Sequence, residues 1–158
     1  MGEKNGVSVP AAAQAPAPAD EIVKQVEYYF GDVNLSRDKF LLGEIAKSDS
    51  GWVDMATMLK FNRLHKLAGG DEDVVLDALA AVEEGDGLME VDKEAKRIRR
   101  KLSKPLPADR EQFVNSLASR TVYVKGFNKD WELDQVTAFL KPYGHTESTH
   151  VSMLTSDQ

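Results

Sequence analysis

What most limits the fold of this chain is its punctuation. From Asp20 onward the apolar residues come in short stretches, each opened by an aspartate and closed by glycine or a polar turn. Asp20 precedes EIVKQVEYYF, in which Ile22, Val23, Val26, Tyr29 and Phe30 fall at helical spacing. Gly31-Asp32 ends that helix, and Asn34–Ser36 reads as a turn. Asp38 opens KFLLGEIAKS, with Phe40, Leu41, Leu42 and Ile45 apolar. After a brief extended piece at Gly51-Trp52-Val53, Asp54 opens MATMLKF. Arg63–Leu67 continues as a short helix that Gly69-Gly70 breaks. Asp71 opens DVVLDALAAV, with Val74, Val75, Leu76, Leu79 and Val82 apolar. LMEV and RIRRKL then read as two strands around a polar turn at Asp92–Lys96. Helices too short to stand alone must pack on one another, and a terminal hairpin suits the wing of a winged-helix domain. The expected class is α+β.

Either side of residues 20–104 the pattern changes. Residues 1–19 contain AAAQAPAPA and no helical or strand period, and read as a disordered tail. SKPLPADREQF begins a linker over 105–119, with two prolines and then a short polar, helix-compatible piece. From Arg120, TVYVKGF alternates as a strand. WELDQVTAFLKPYG is an amphipathic helix capped by Asp130, and STHVSML is strand-like, which gives β-α-β.

Charge is segregated along the chain. The formal net charge of -6 argues naively against a nucleic-acid partner. Yet residues 71–92 hold Asp71, Glu72, Asp73, Asp77, Glu83, Glu84, Asp86, Glu90 and Asp92 and no base. Residues 93–104 hold Lys93, Lys96, Arg97, Arg99, Arg100, Lys101 and Lys104 against Glu94. Local sign governs a phosphate-binding face. The acidic run reads as solvated. The basic run KRIRRKLSK reads as a solvated face, a nuclear targeting patch or a set of phosphate contacts, with Arg97, Arg99, Arg100 and Lys101 as candidates. With Cys 0 and His 3, thiol, disulfide and zinc-ribbon chemistry is excluded and no metal site is expected. No phosphate-binding loop, G-x-S-x-G or H-E-x-x-H occurs, so a binding protein without cofactor is expected rather than an enzyme. Neither a membrane span nor a signal peptide stands out, and the chain reads as soluble and intracellular.

QVEYYFGDVNLSRDKF at 25–40 and GWVDMATMLKFNRL at 51–64 resemble the La motif of the La RNA-binding protein family. KPLP and VYVKGF sit where that family places them before its first RNA recognition motif. The likeness spans roughly residues 20–150 and is closer to genuine La proteins than to La-related ones. It implies a winged-helix La motif over 20–104, then an incomplete RNA recognition motif over 120–158. The latter is truncated, because no third-strand motif K/R-G-F/Y-G/A-F-V-x-F/Y occurs before Gln158, and HTESTHVSM departs from the family.

The residues have their own chemistry. Tyr28, Tyr29, Phe40 and Phe61 offer flat faces for unstacked bases, worth roughly 1–3 kcal/mol per base. Gln25 carries a donor and an acceptor and so can read a uracil edge. A carboxylate repels phosphate, so Asp38 needs a different role. It can accept hydrogen bonds from the 2′- and 3′-hydroxyls of a terminal ribose. Taken singly, each aromatic reads as core, Asp38 as a helix cap and Gln25 as a solvated residue. Phe30 and Leu41 are assigned to the core. The resemblance implies that Gln25, Tyr28, Tyr29, Asp38, Phe40 and Phe61 form a pocket for a 3′-terminal oligouridine. It sets Asn62 and Arg63 at the flank, with Arg63 a phosphate contact, and Tyr123 as a base-stacking residue of the second domain. The implied function is holding the UUU-OH ends of new RNA polymerase III transcripts in the nucleus, shuttling to the cytoplasm included, and assisting tRNA maturation within ribonucleoproteins. The implied partner is single-stranded RNA with a 3′-OH uridine tail, not a membrane or a small-molecule substrate. The alternatives are a protein-interaction winged-helix module of a La-related protein and a winged-helix DNA binder. Asp38 beside aromatic rings disfavours the latter, because deoxyribose lacks the 2′-OH.

Overall fold

The computed structural model describes residues 15–152. Most of the expected tail over 1–19 lies outside the described residues, as do Met153 and Leu154 of STHVSML. Within the described part of the tail, the Ala17 N–H donates to Leu67 O at 2.7 Å. The chain divides into two units, one ending at Leu106 and the other beginning at Pro107.

In the first unit the punctuation becomes α1 (Ala19–Phe30), α2 (Asp32–Leu35), α3 (Lys39–Ala46), β1 (Val53–Asp54), α4 (Met55–Met58), α5 (Asn62–Ala68), α6 (Glu72–Glu83), β2 (Met89–Asp92) and β3 (Arg97–Arg100). Two expected caps form as hydrogen bonds. Asp38 Oδ1 accepts from the Leu41 N–H and Asp71 Oδ1 from the Asp73 N–H, each at 2.9 Å. Asp54 occupies the N-cap of α4 without a side-chain bond. Asp20 is not a cap. The helix starts at Ala19, after Pro18 and two residues before the expected start, so Asp20 falls in the first turn and pairs with Lys24 at 3.4 Å. Proline's fixed φ already suits the entry to a helix.

The three strands form one antiparallel sheet in the order β1-β3-β2. Ile98 lies opposite both Val53 and Val91 and is 0% exposed. Helices α1 and α6 pack on each other, and α6 packs on β2. Ile22, Val26, Phe30, Leu41, Leu76 and Leu79 are all buried in the resulting core. Val82, near the end of α6, is exposed instead. Helices leading into a β2–β3 hairpin on a small antiparallel sheet make a winged-helix, α+β unit.

The opposite charges meet within this unit. The register sets Glu90 against Arg99 and Asp92 against Arg97 across the hairpin. Arg99 Nε and Nη2 donate to the two Glu90 oxygens at 2.8 and 3.0 Å. Arg97 Nε donates to Asp92 Oδ2 at 2.9 Å. Lys93 pairs with Asp77, Lys96 with Glu72 and Asp73, and Lys104 with Asp86. The acidic run is therefore not simply solvated: much of it faces the basic run. The Arg99 hydrogen bond holds the Glu90 carboxyl below its usual range. A backbone hydrogen bond from Ala95, then the Arg97 side chain, does the same for Asp92.

In the second unit α7 (Arg110–Ser116) runs into a 3₁₀ turn at Leu117–Arg120, and α8 (Leu133–Leu140) into another at Lys141–Tyr143. Asp130 does not cap α8. Glu132 does, in a capping box with Gln135, while the Asp130 N–H closes a turn onto Asn128 Oδ1. TVYVKGF and the described part of STHVSML are not strands: no strand pairing occurs among described residues 107–152. Alternation predicts which face of a strand is buried, but a strand exists only with a hydrogen-bonded neighbour. Here Val122 is 82% and Tyr123 70% exposed, so neither face is covered.

Acid should weaken the first unit through its hairpin. Both carboxyls bind protons less readily folded than unfolded, so their contribution is present above about pH 4 and lost as pH falls through the folded values. Urea unfolding at a series of pH values should show stability falling on acidification, with a shallower fall in Glu90→Gln.

Candidate nucleic-acid interface

Three stretches of the first unit converge on one aromatic cluster. The last turn of α1 brings Tyr28 and Tyr29, the first turn of α3 brings Phe40, and the N-cap of α5 is Phe61. The Tyr29 and Phe61 rings lie 4.5 Å apart at 31°, and Phe40 meets Phe61 edge-on at 5.9 Å. Tyr28 lies 6.1 Å from Tyr29. Phe40 is 49% exposed, Tyr28 and Phe61 are half-buried, and Tyr29 is 8% exposed. The cluster thus has an open ring at Phe40 and a closed base at Tyr29. The Gln25 side chain and the Leu64 backbone lie near enough to the Tyr29 phenol to affect its titration. Burial pushes the Tyr29 phenol above its usual value, and those two groups hold it back.

Asp38 stands at the N-cap of α3, two residues before Phe40. Its Oδ1 is taken by the cap, and a carboxylate has a second oxygen with lone pairs to offer. The half-buried Asp38 is held by Asn34, whose carbonyl accepts from the Asp38 N–H at 2.9 Å. Asn34 Nδ2 in turn donates to Tyr29 O at 2.9 Å. In sequence Asn34 reads only as part of a turn. Its role as the tie between the tyrosine turn and the aspartate rests on two short-range bonds, five residues back and four residues on. Asn62 and Arg63 sit exposed on the first turn of α5, and the Arg63 charge acts on Tyr29.

This sequence and arrangement have known relatives. Residues 22–81 match the La domain family. Over 124 residues the chain is 45% identical to the Lupus La protein homolog of Rattus norvegicus, a match covering 78% of this chain and 29% of that protein. The chain belongs to the La family. The La protein homolog of Drosophila melanogaster is 37% identical over 144 residues, covering 84% of this chain and 36% of that one. La-related protein 7 of Mus musculus is 42% identical over 108 residues, covering 66% and 16%. Among solved structures, a La autoantigen N-terminal domain is 32% identical with a TM-score of 0.48, covering 56% of this chain and 89% of that one. The chain spans about three tenths of the length of the rat relative.

The La domain match ends at residue 81 and does not include the expected start of an RNA recognition motif. Tyr123 belongs to the second unit, where it is exposed. The four wing cations hold internal partners. Arg97 and Arg99 pair with Asp92 and Glu90, and both guanidinium groups also lie over the Trp52 ring, at 4.8 and 4.4 Å. Lys101 Nζ donates to Glu83 O at 2.6 Å and to Gly85 O at 3.3 Å. Arg100 donates to three backbone carbonyls. The basic run thus builds the La domain, a use the charge count alone does not suggest. Sequence reasoning also misses Trp52 as the seat of two cations, because Arg97 and Arg99 reach it only through the pairing of β1 with β3.

The exposures separate platform from support. Tyr29→Ala should cost about 3 kcal/mol of stability, as large aromatic truncations in cores do, and Phe40→Ala about 1 kcal/mol or less. Denaturant unfolding of the two variants measures the split.

Proposed function

We propose that the La domain of this chain binds single-stranded RNA that ends in uridines with a free 3′-hydroxyl. The observation that carries this reading is a capping carboxylate, Asp38, beside an open aromatic ring, Phe40, at the start of α3. A carboxylate is a poor neighbour for phosphate and a good acceptor for two vicinal hydroxyls. A 3′-phosphate or a deoxyribose would lose that pairing. Phe40 is the stacking platform, with Phe61 beside it, and Tyr28 lies against Tyr29. Tyr29, nearly closed off, supports Phe61 and lies near Gln25, whose amide has capacity left to meet a uracil edge. Asn62 and Arg63 flank the cluster as polar and phosphate contacts. Tyr123, exposed on the second unit, is a base-stacking residue of that unit.

In the cell this activity protects the 3′ ends of new RNA polymerase III transcripts and assists their processing, including tRNA maturation, in the nucleus. The matched La domain and the La-named relatives support RNA binding of the La type, on which this cellular role is built. No chemical step is required of the protein, whose work is to bind and shield.

Titration with oligouridine ending in 3′-OH, the same RNA ending in 3′-phosphate, and oligodeoxythymidine tests the reading. The first should bind tightest. Asp38→Ala should weaken it by about 1.5–3 kcal/mol, the worth of a charge-assisted hydrogen bond, and narrow the preference over 3′-phosphate RNA. Equal affinity of the unaltered protein for both RNA ends would overturn it.

A further inference from the structure

The last turn of α1 carries two pocket tyrosines yet ends without a cap of its own. Gly31 leaves it extended, at φ -65° and ψ 155°, and no basic residue lies in that turn. The final carbonyls of a helix then need donors from elsewhere. Tyr28 O takes the Gly31 N–H at 3.3 Å, and Tyr29 O takes Asn34 Nδ2 at 2.9 Å. Phe30 O takes Arg100 Nη1 at 2.8 Å, across seventy positions of sequence. Arg100 also brings a positive charge to the negative end of the α1 dipole.

The same guanidinium holds three more groups. Its Nη2 lies 2.6 Å from Asp32 Oδ1, a contact of opposite charges without hydrogen-bond alignment. Nη2 also donates to Pro105 O at 3.2 Å, and Nε donates to Lys104 O. The Arg100 side chain is 13% exposed. From Asp32 the chain runs through α2 to Asn34, whose carbonyl receives the Asp38 N–H. Arg100, at the end of the wing strand, thus holds groups on both sides of Gly31, between the tyrosine turn and the short helix that carries Asn34.

We propose that Arg100 is a positioning residue of the RNA 3′-end pocket: its fork fixes the turn from Tyr28 to Asp32, and so the spacing between the aromatic rings and Asp38. This rests on the reading of the pocket above. Lysine keeps the charge but has one compact head, so it cannot serve Phe30 O, Asp32, Lys104 O and Pro105 O together. Residues that orient a binding group without touching the ligand cost about tenfold or more when replaced.

The test compares the full chain with Arg100→Lys. Kd is measured for oligouridine ending in 3′-OH and in 3′-phosphate, beside thermal unfolding and the backbone amide shifts of Tyr28–Asp38. Asp71→Ala, which removes the cap of α6 away from the pocket, controls for lost stability. Arg100→Lys should weaken 3′-OH binding about tenfold, change 3′-phosphate binding much less, and move the amides of Tyr29 and Asp38. Asp71→Ala should lower the melting temperature and keep the ratio of the two affinities. An unchanged ratio in Arg100→Lys would overturn the proposal, as would an equal fall of the ratio in Asp71→Ala. If Arg100→Lys does not fold, Asp32→Asn, which removes one partner of the fork, is read by the same ratio: a fall supports the proposal and an unchanged ratio overturns it. Loss of end preference in the unaltered protein would instead mark failure of the pocket reading itself.

Discussion

The corner between α1 and α2 is the constraint on which the rest of this La domain turns. A glycine there allows the backbone to leave the helix abruptly. A Cβ on Gly31 would stand 3.1 Å from Glu27 O, closer than a side chain tolerates without some shift. The abrupt exit places Tyr28 and Tyr29 at the very end of α1; Asn34 then links Tyr29 to Asp38, and Phe61 lies against both Tyr29 and Phe40. The cost is that Tyr29 O and Phe30 O take their donors from side chains. Asn34 and Arg100 supply them, one from the next helix and one from the second strand of the wing. Pocket, wing and the start of the linker are thereby joined through a few polar bonds laid over an apolar core.

That core does most of the stabilising. Phe30, Ile22 and Val26 of α1 meet Leu76 and Leu79 of α6, with Ile98 buried in the central strand. Full burial of side chains of this size contributes about 1.5–3 kcal/mol each before ordering costs are met. The ion pairs around the hairpin are of another kind. Most are exposed, and cross-strand charge pairs contribute roughly 0.2–1 kcal/mol apiece. Their value is in register. A slip of one residue would set Glu90 and Asp92 against the wrong partners and turn Ile98 out of the core.

Asp38 shows how a structural role can prepare a residue for the binding role proposed for it. As an N-cap it is locked by the Leu41 N–H and by its own N–H on Asn34, so the carboxylate is preorganised. A preorganised acceptor would lose little freedom on binding, which suits the proposed function. Phe40, two residues on, stays open because the helix turns it away from the core that holds its neighbour Leu41.

By itself the sequence determined the longer helices of the first unit, though not α2, whose residues read as a stop and a turn, together with the caps at Asp38 and Asp71, the hairpin around Asp92–Lys96, and the burial of Phe30 and Leu41. These rest on short-range rules: helical spacing, cap chemistry and alternation. The string around EYYFGD and RDKF also marked the candidate site residues and the La family, through likeness rather than physics. Only the tertiary structure decided what the charges do. Whether Arg100 meets a phosphate or the end of α1 depends on which groups packing delivers to it, and seventy residues of separation hide that from any local window. Likewise, Tyr28, Tyr29, Phe40 and Phe61 look alike as aromatics in sequence. The meeting of α1, α3 and α5 makes Tyr29 the buried support and Phe40 the exposed ring. TVYVKGF marks the opposite limit: its alternation is plain, yet a strand requires a partner, and pairing is a property of the fold and not of the segment.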